Sequence, residues 1–226
     1  MTLLSEKSEA STLVELAITK LRQDILTGVF APGSKLRVDE LRANYEIGAS
    51  PLREALSRLV SNGLVTAQGQ KGFRVAPVSK ADIRDITDTR KLLEHAALSD
   101  SLQNGGADWE SDVSFAYDRL DREHKAMQST SGASVDAWEL ANASFHDALV
   151  AACNSKWLLN FRHVIYDQAA RYRRFVVLDE EQAVGAHEEH RQMMEAAVAR
   201  DIEKSCQLAD AHAERTYKLM AGRFSE

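Results

Sequence analysis

Apolar residues recur every three or four positions over much of the chain, a spacing that is typical of amphipathic helices. The first stripe predicts a helix over about residues 12–27, which ends at Gly28 because glycine favours helix termination. The polar residues before it are expected to be frayed. The stripe consists of Leu13, Leu16 or Ala17, Leu21 and Ile25.

Two short helices joined by a tight turn are predicted between residues 39 and 61. The first begins with two acidic residues, which the free backbone N–H groups of a first turn favour. Residues 46–49 are too few for anything but a corner. The second helix is expected to have Ser50 as its N-cap and Pro51 at its first helical position. Its apolar face consists of Leu52, Ala55, Leu56 and Leu59, and its other side carries Arg53, Ser57 and Arg58.

A β-hairpin is predicted directly after these helices. Its strands are Leu64–Ala67 and Phe73–Ala76, joined by a basic, glycine-containing tip, and Lys35–Arg37 is a candidate third strand. This order is that of a winged helix-turn-helix, whose second helix enters the major groove of DNA while the wing reaches the backbone or minor groove. The alternative interpretation is a small α+β domain whose arginines are only solvated.

The chain after Pro77 contains no proline and is predicted to be entirely helical. The predicted fold class is therefore mostly α: a winged helix-turn-helix domain (1–76), a linker (77–79) and an antiparallel bundle of six to seven helices (80–226). Six helices are expected at about 80–103, 108–127, 135–153, 157–177, 182–199 and 201 to near the C-terminus, with loops at 129–134 and 178–181. Their predicted inward residues include Ile83, Ile86, Leu93, Ala97, Val113, Tyr117, Leu120, Met127, Trp138, Ala141, Phe145, Leu149, Trp157, Phe161, Ile165 and Tyr172.

Length and composition fit a protein of two modest domains, with 226 residues of which 44% are hydrophobic. No run approaches the roughly 20 apolar residues of a membrane span, and the first ten residues do not resemble a signal peptide. We therefore expect a cytoplasmic protein without a membrane partner. Cys153 and Cys206 lack the spacing of a redox or metal motif and are expected to be core residues.

The net charge of −6 conceals an asymmetry along the chain. Residues 33–76 contain seven Lys or Arg against four Asp or Glu, whereas the residues from 77 onward contain 18 basic and 26 acidic side chains. An acidic body repels phosphate, so only the mildly basic N-terminal domain is expected to approach DNA. This distribution favours sequence-specific binding over general coating of DNA.

Three of the seven histidines are predicted to converge. Asn142 and His146 are four residues apart on one helix face. Asp201 is the expected N-cap of the last helix; His190 lies eleven residues before it and His212 eleven after it, so an antiparallel hairpin brings them level. Three imidazoles and an amide oxygen suit a divalent transition ion, with zinc, nickel, manganese and iron all open. The alternative is that each histidine is separately buried or solvated, as expected for His95, His124, His163 and His187.

Arg90 and Glu94 lie close to the inner edge of the helix predicted at 80–103. A buried arginine beside a metal ion predicts a clamp for an effector carboxylate. The alternative is an internal i, i+4 ion pair. A metal in a helical pocket is also compatible with a different class of protein, a helical metalloenzyme with an accessory DNA- or protein-binding module.

The sequence resembles the GntR-type bacterial transcription regulators, with an all-helical ligand-binding domain of the FadR type. The resemblance covers nearly the whole chain. In the first domain it rests on GVFAPGSKL (28–36), SPLREAL (50–56), NGLV (62–65) and KGFRV (71–75). In the second it rests on TRKLLE (89–94), NASFHDAL (142–149) and EEHRQMMEAAVARD (188–201) ahead of His212.

The resemblance implies a homodimeric repressor or activator, not an enzyme, that binds double-stranded palindromic operator DNA and senses a small organic or sugar acid. Metal-containing members use an Asp or Asn with three His, which match Asn142, His146, His190 and His212. Arg90 matches the arginine near the effector. Family contacts with the operator match Arg37, Ser50, Arg53, Lys71 and Gly72, and Arg58 is a further candidate because it lies on the outer side of the second helix.

Two positions depart from the family pattern. Gly48 and Ala49 stand in the turn where a serine and a basic residue are common, so one contact with DNA is expected to be missing. Asn142 stands where many members have an aspartate, which removes one negative ligand from the metal site.

Overall fold

The computed structural model describes residues 2–128, 134–173 and 180–223. The chain divides into two compact units, Met1–Asp82 with Ala170–Arg174, and Ile83–Ala169 with Phe175–Glu226. The predicted loop residues 129–133 and 178–179, and the predicted end of the fourth bundle helix at 174–177, lie outside the described residues. None of the described helices is long and apolar enough to cross a membrane.

The first unit has the predicted order of helices and strands. Its elements are α1 (Thr2–Leu26), β1 (Lys35–Leu36), α2 (Val38–Tyr45), α3 (Ala49–Ser61), β2 (Val65–Ala67) and β3 (Phe73–Val75). The helices α1 and α2 both pack on α3, which also contacts β2. The shared core consists of Ala17, Leu21, Ile25, Leu36, Leu41, Ile47, Leu52, Ala55, Leu56, Leu59, Leu64, Val65 and Val75.

The three strands form one antiparallel sheet in the order β1-β3-β2. In this register Lys35 lies opposite Arg74, and Val65 lies opposite Val75. The pairing of β1 with β3 confirms the predicted third strand. A 3₁₀ turn (Gly69–Lys71) forms the tip of the wing, and Gly72 follows it with φ of 86°, a conformation that favours glycine.

The start of α1 was predicted wrongly. The helix begins at Thr2 rather than near residue 12, because the prediction followed the apolar stripe, which does not mark where the helix begins. The buried stripe of α1 begins at Val14 rather than at the predicted Leu13. Val14 is 4% exposed, whereas Leu13 and Leu16 are 39% and 44% exposed.

The N-cap of α3 was also predicted wrongly. Gly48 is the N-cap, the helix begins at Ala49, and no side chain makes a capping hydrogen bond. Ser50 is therefore the second residue of the helix. Pro51 is tolerated as the third residue because the first four N–H groups of a helix have no intrahelical partner.

In the described part of the chain after Pro77 there are six helices, as predicted. They are α4 (Lys80–Asn104), α5 (Ala107–Gln128), α6 (Val135–Leu149), α7 (Lys156–Arg173), α8 (Glu180–Val198) and α9 (Ile202–Ala221). Within this bundle α5 packs against α6 and α8, and α8 packs against α9. α6 ends at Leu149, four residues before its predicted end, because residues 150–153 turn back through short hydrogen bonds such as Cys153 N to Val150 O, 3.0 Å.

The predicted inward faces are confirmed on most of these helices. The buried set includes Ile83, Ile86 and Ala97 of α4, Val113, Tyr117 and Leu120 of α5, and Trp138, Ala141, Phe145 and Leu149 of α6. Both cysteines are unpaired and buried, as expected. Asp201 caps α9 by accepting a hydrogen bond from the Lys204 N–H at 3.0 Å, which confirms the predicted turn between α8 and α9.

The inward face of α7 was predicted wrongly at the beginning of the helix. Trp157 and Phe161 are 66% and 59% exposed, and their rings stack on each other at 6.2 Å. The predicted burial of Tyr172 is confirmed, but the other buried positions of this helix are Arg162, Tyr166, Asp167, Gln168, Ala169 and Arg171. The aromatic stripe marks the wrong face because the charge of the buried Arg162 is compensated by Glu94 and Asp147, which hydrophobic periodicity does not reveal.

The last turn of α7 belongs to the first unit. Arg171 is buried and donates to the carbonyl oxygens of Ala76 and Pro77 at 2.8 and 3.1 Å. The Tyr172 hydroxyl accepts from the Ser79 N–H at 3.0 Å and donates to the Asp82 carboxylate at 2.5 Å. These bonds hold the segment that leads from the wing into α4.

Candidate functional site

Four polar side chains from three helices lie together inside the bundle. Asn142 and His146 belong to α6, His190 to α8 and His212 to α9, and all four are between 1% and 6% exposed. The ligand nitrogens of the three histidines lie within 4.8 Å of one another. The predicted convergence of His190 with His212, and of both with His146, is therefore present in the structure.

Several atoms of this cluster lack a hydrogen-bond partner. Asn142 Oδ1, His146 Nε2 and His190 Nε2 are buried, and no described residue satisfies them. Leaving such a group buried and unsatisfied costs about 1–3 kcal/mol, so three in one place call for an explanation. A divalent transition ion explains all three, because each orphaned atom is a lone-pair donor.

The third histidine is oriented from outside the cluster. His212 Nδ1 lies 2.7 Å from Glu189 Oε2, and the other oxygen of Glu189 lies 2.5 Å from Arg215 Nε. This contact assigns Nε2 as the nitrogen of His212 that would bind an ion. A carboxylate behind a metal-binding imidazole fixes the ring and raises its basicity.

The site favours neutral imidazoles. Burial lowers the pKa of His146 well below its usual value, and Arg90, His190, His212 and Arg162 add to this effect. Burial likewise lowers the pKa of His190, helped by His212. Both rings therefore keep their lone pairs at neutral pH, as metal ligands must.

Arg90 and Glu94 are buried beside this cluster and contact each other. Arg90 Nε lies 3.5 Å from Glu94 Oε1, so the predicted i, i+4 pair is present. Glu94 also accepts from Arg162 Nε at 3.1 Å through its other oxygen. A carboxylate of the protein therefore already lies between two guanidinium groups.

Arg162 and Tyr166 are site residues that the sequence did not reveal. Arg162 donates to Asp147 and to the His146 carbonyl oxygen, each at 2.7 Å. Burial alone would lower the pKa of Arg162, but Glu94 and Asp147 raise it above its usual value. The sequence did contain one signal for these two site residues. Arg162 and Tyr166 are four positions apart, which places both on one face of α7.

Tyr166 connects the arginines to the cluster. Its hydroxyl accepts from Asn142 Nδ2 at 3.1 Å. The guanidinium groups of Arg90 and Arg162 lie 5.1 and 5.5 Å from its ring centroid. The Nδ2 end of the Asn142 amide is thus engaged, which leaves Oδ1 as the end that would bind an ion.

The candidate DNA-binding residues all belong to the first unit and are exposed. Arg53 lies on α3 and Lys71 on the tip of the wing, and neither side chain pairs with any described residue. Ser50 lies in the first turn of α3. Arg37 contacts Glu40 at 3.1 Å, and Gly72 follows the tip of the wing.

Arg58 differs from the other candidates because its guanidinium is already used. It contacts Glu15 of α1 and Glu54 of α3, each at 2.7 Å. Binding a phosphate would require it to leave both carboxylates. Its observed contacts join α1 to α3.

Two family models match the chain. Residues 13–75 match the model described as bacterial regulatory proteins, gntR family. Residues 85–215 match the model of the FCD domain. The cluster of three histidines, together with Asn142, lies within the second match.

Curated relatives match most of the chain. It is 39% identical over 209 residues to BphR of Paraburkholderia xenovorans strain LB400, called an HTH-type transcriptional regulator, covering 92% of this chain and 85% of the relative. It is 40% identical over 196 residues to the HTH-type transcriptional repressor GlaR of Escherichia coli K12, covering 85% of this chain and 88% of the relative. These are regulators rather than enzymes, which confirms the prediction and sets aside the metalloenzyme alternative.

Solved structures share the fold. E. coli McbR/YncC superposes with a TM-score of 0.81 at 18% identity, covering 94% of this chain and 99% of that one. The metal-free FCD domain of TM0439 superposes with a TM-score of 0.53 at 15% identity, covering 66% of this chain and 97% of that one. At these identities the likeness concerns the fold alone.

Proposed function

Because the chain belongs to the GntR family of bacterial transcription regulators and carries an FCD domain, we propose that it is a metabolite-responsive repressor. It binds a palindromic operator as a homodimer in the cytoplasm and senses a small organic or sugar acid in a metal-containing pocket. The observation that carries the sensing role is the convergence of buried, unsatisfied donors from Asn142, His146 and His190 next to His212.

The DNA-binding half of the proposal rests on the exposed side of α3 and on the wing. Arg53 projects from the helix that would enter the major groove, and Lys71 is available for the backbone. One copy of this DNA-binding unit offers Arg53 and Lys71 for contacts with DNA. Because each phosphate contact adds to affinity, a single copy is expected to bind DNA weakly. Two copies on a palindrome double the contacts, which is why we propose a dimer.

The sensing half rests on the pocket formed by the histidine cluster with Arg90, Glu94, Arg162 and Tyr166. Asn142, His146, His190 and His212 would hold the ion, which when bound supplies a Lewis-acidic anchor for a carboxylate. Arg90 would contact the same acid, as a buried guanidinium suits a carboxylate. Zinc, nickel, manganese and iron all accept this ligand set.

Repression, rather than activation, is supported by the name of one relative, the transcriptional repressor GlaR, which is 40% identical to this chain.

The proposed mechanism is thermodynamic linkage between effector binding and operator binding. An effector can change operator affinity only by as much as it prefers one of two arrangements of the DNA-binding units.

The test of DNA binding starts with duplexes selected from a random library on the purified protein. We expect Arg53→Ala to weaken binding to the selected operator by about 1–3 kcal/mol, because an arginine in the major groove reads a base edge. Arg122→Ala is the matched control, since it removes the same charge from an exposed position of α5.

The variants Arg53→Ala and Arg122→Ala distinguish a specific loss of operator contact from a general loss of positive charge. Arg122→Ala should leave operator affinity unchanged, and zinc content should be equal in both variants and the wild type. Equal operator affinity of Arg53→Ala and the wild type would contradict the proposed DNA-binding surface.

A further inference from the structure

The ligand set of the candidate metal site carries no charge. Three imidazoles and the amide of Asn142 are all neutral donors, so an ion held by them would keep its full positive charge. The side chains of Asn142, His146 and His190 are all at least nine-tenths buried. Water therefore screens little of this charge.

The surroundings of the site add no net negative charge. Arg90 and Arg162 are 6% and 3% exposed and share the buried carboxylate of Glu94, and Arg162 also pairs with the exposed carboxylate of Asp147. Glu189 lies behind His212, where Arg215 offsets its charge. A divalent ion would enter a pocket with too little negative charge to balance it.

The amide of Asn142 is held in place. Its Nδ2 donates to the Tyr166 hydroxyl at 3.1 Å, and Oδ1 is buried without a partner among the described residues. Tyr166 is therefore a positioning residue for the neutral oxygen ligand. An aspartate at position 142 would bring the missing negative charge into the same place.

We propose that Asn142 makes metal binding in this pocket dependent on the anionic effector, so that the ion and a carboxylate bind as a pair and each raises the affinity for the other. This inference rests on the proposed function and names how the sensing site is regulated. Coupling between two ligands usually amounts to about 5-fold to 150-fold in affinity. Because coupling is reciprocal, the protein without metal should bind the acid weakly.

The experiment measures the zinc dissociation constant of the full-length protein by competition with a chromophoric chelator. The zinc dissociation constant is measured in chloride and in acetate, succinate or gluconate at equal ionic strength. Each value is corrected for the zinc that the acid itself binds in solution. We expect at least one carboxylate to tighten zinc binding about 5-fold or more. Equal zinc affinity in chloride and in all three acids would overturn the inference.

The matched pair of variants is Asn142→Asp and Asn160→Asp, because Asn160 is exposed on α7 and gives the same change of charge at the surface. Asn142→Asp should bind zinc more tightly in chloride and lose most of the carboxylate effect. Asn160→Asp should behave as the wild type. A carboxylate effect of undiminished size in Asn142→Asp would overturn the inference.

Tyr166→Phe gives a second variant that keeps the ring and removes the hydroxyl. We expect zinc affinity to fall in this variant with and without carboxylate, because Asn142 loses its fixed orientation. Zinc binding without carboxylate coupling would refute only this inference and leave the proposed regulator intact. A wild type that binds none of zinc, nickel, manganese and iron would refute the proposed metal site and this inference together, while operator binding would still stand.

Discussion

Glu189 illustrates how much of the candidate site depends on residues beside the proposed metal ligands. Its carboxylate lies 2.7 Å from His212 Nδ1 and so orients the ring. We expect Glu189→Gln to weaken zinc binding about 10-fold to 100-fold, the usual effect of removing such a partner. The measurement is the zinc dissociation constant by chelator competition.

The control for this substitution is its neighbour. Glu188→Gln removes an exposed carboxylate that pairs with Arg191 and contacts no proposed ligand, so zinc affinity should be unchanged. Loss of affinity in both variants to the same degree would show that Glu189 acts only through the general charge of α8.

His124 leads to a prediction about pH. Burial lowers the pKa of His124, and its ring stacks on His187 at 4.3 Å. Well above pH 6.5, its ordinary pKa, the imidazole is neutral in both folded and unfolded protein and adds no pH dependence. As the pH falls below this value the unfolded chain binds the proton first, so the free energy of unfolding decreases by at most about 1.4 kcal/mol per pH unit.

Urea denaturation of zinc-free protein at pH 7.5 and 5.5 measures this effect. We expect His124→Gln to lose less stability than the wild type over this interval, although the other buried histidines retain their contributions. An identical decrease in both proteins would contradict a titrating role for His124.

At the scale of single residues, the sequence was sufficient to predict that His146, His190 and His212 converge and insufficient to predict the surroundings of these histidines. His190 and His212 were found because equal spacing from Asp201 is a geometric constraint on any helical hairpin. Arg162 was missed because its burial depends on Glu94, 68 residues away, and the i, i+4 spacing of Arg162 and Tyr166 shows only that they share a face, not that this face is buried.

The helix α7 contains the largest discrepancy between sequence and structure. Its aromatic stripe suggested a core face through Trp157 and Phe161, yet the buried face carries Arg162 and Tyr166. Hydrophobic periodicity ranks residues by transfer energy, and it cannot recognise a buried arginine whose charge is compensated by carboxylates. Helix ends were similarly uncertain, as α1 and α3 show, because termini depend on hydrogen bonds rather than on burial.

The end of α7 gives a prediction about stability. We expect Tyr172→Phe to lower the free energy of unfolding by about 1–3 kcal/mol, because the Ser79 N–H and the Asp82 carboxylate lose a shared partner. Urea denaturation measures it. Tyr217→Phe is the control, since the described residues offer its hydroxyl no hydrogen bond, and a loss of the same size there would contradict the assignment.

The whole molecule combines a mildly basic first unit with an acidic remainder. Residues from 77 onward carry 26 acidic and 18 basic side chains, and this acidic part of the chain repels phosphate, in agreement with the DNA-binding surface proposed around α3 and the wing. The fold class was predictable at this scale because proline positions, glycine turns and helical periodicity all agreed. The identity of the effector is not encoded in such patterns, because a few buried side chains select it.

The most direct test of the account is the operator affinity of the zinc-loaded wild type, measured by fluorescence anisotropy with and without an acid chosen by thermal-shift screening of organic and sugar acids. We expect the acid to weaken operator binding by about 5-fold to 150-fold. In His190→Ala, which removes a ligand of the proposed ion, the same acid should have little effect. Operator affinity that is the same with and without every acid that stabilises the protein would contradict a metabolite-responsive repressor.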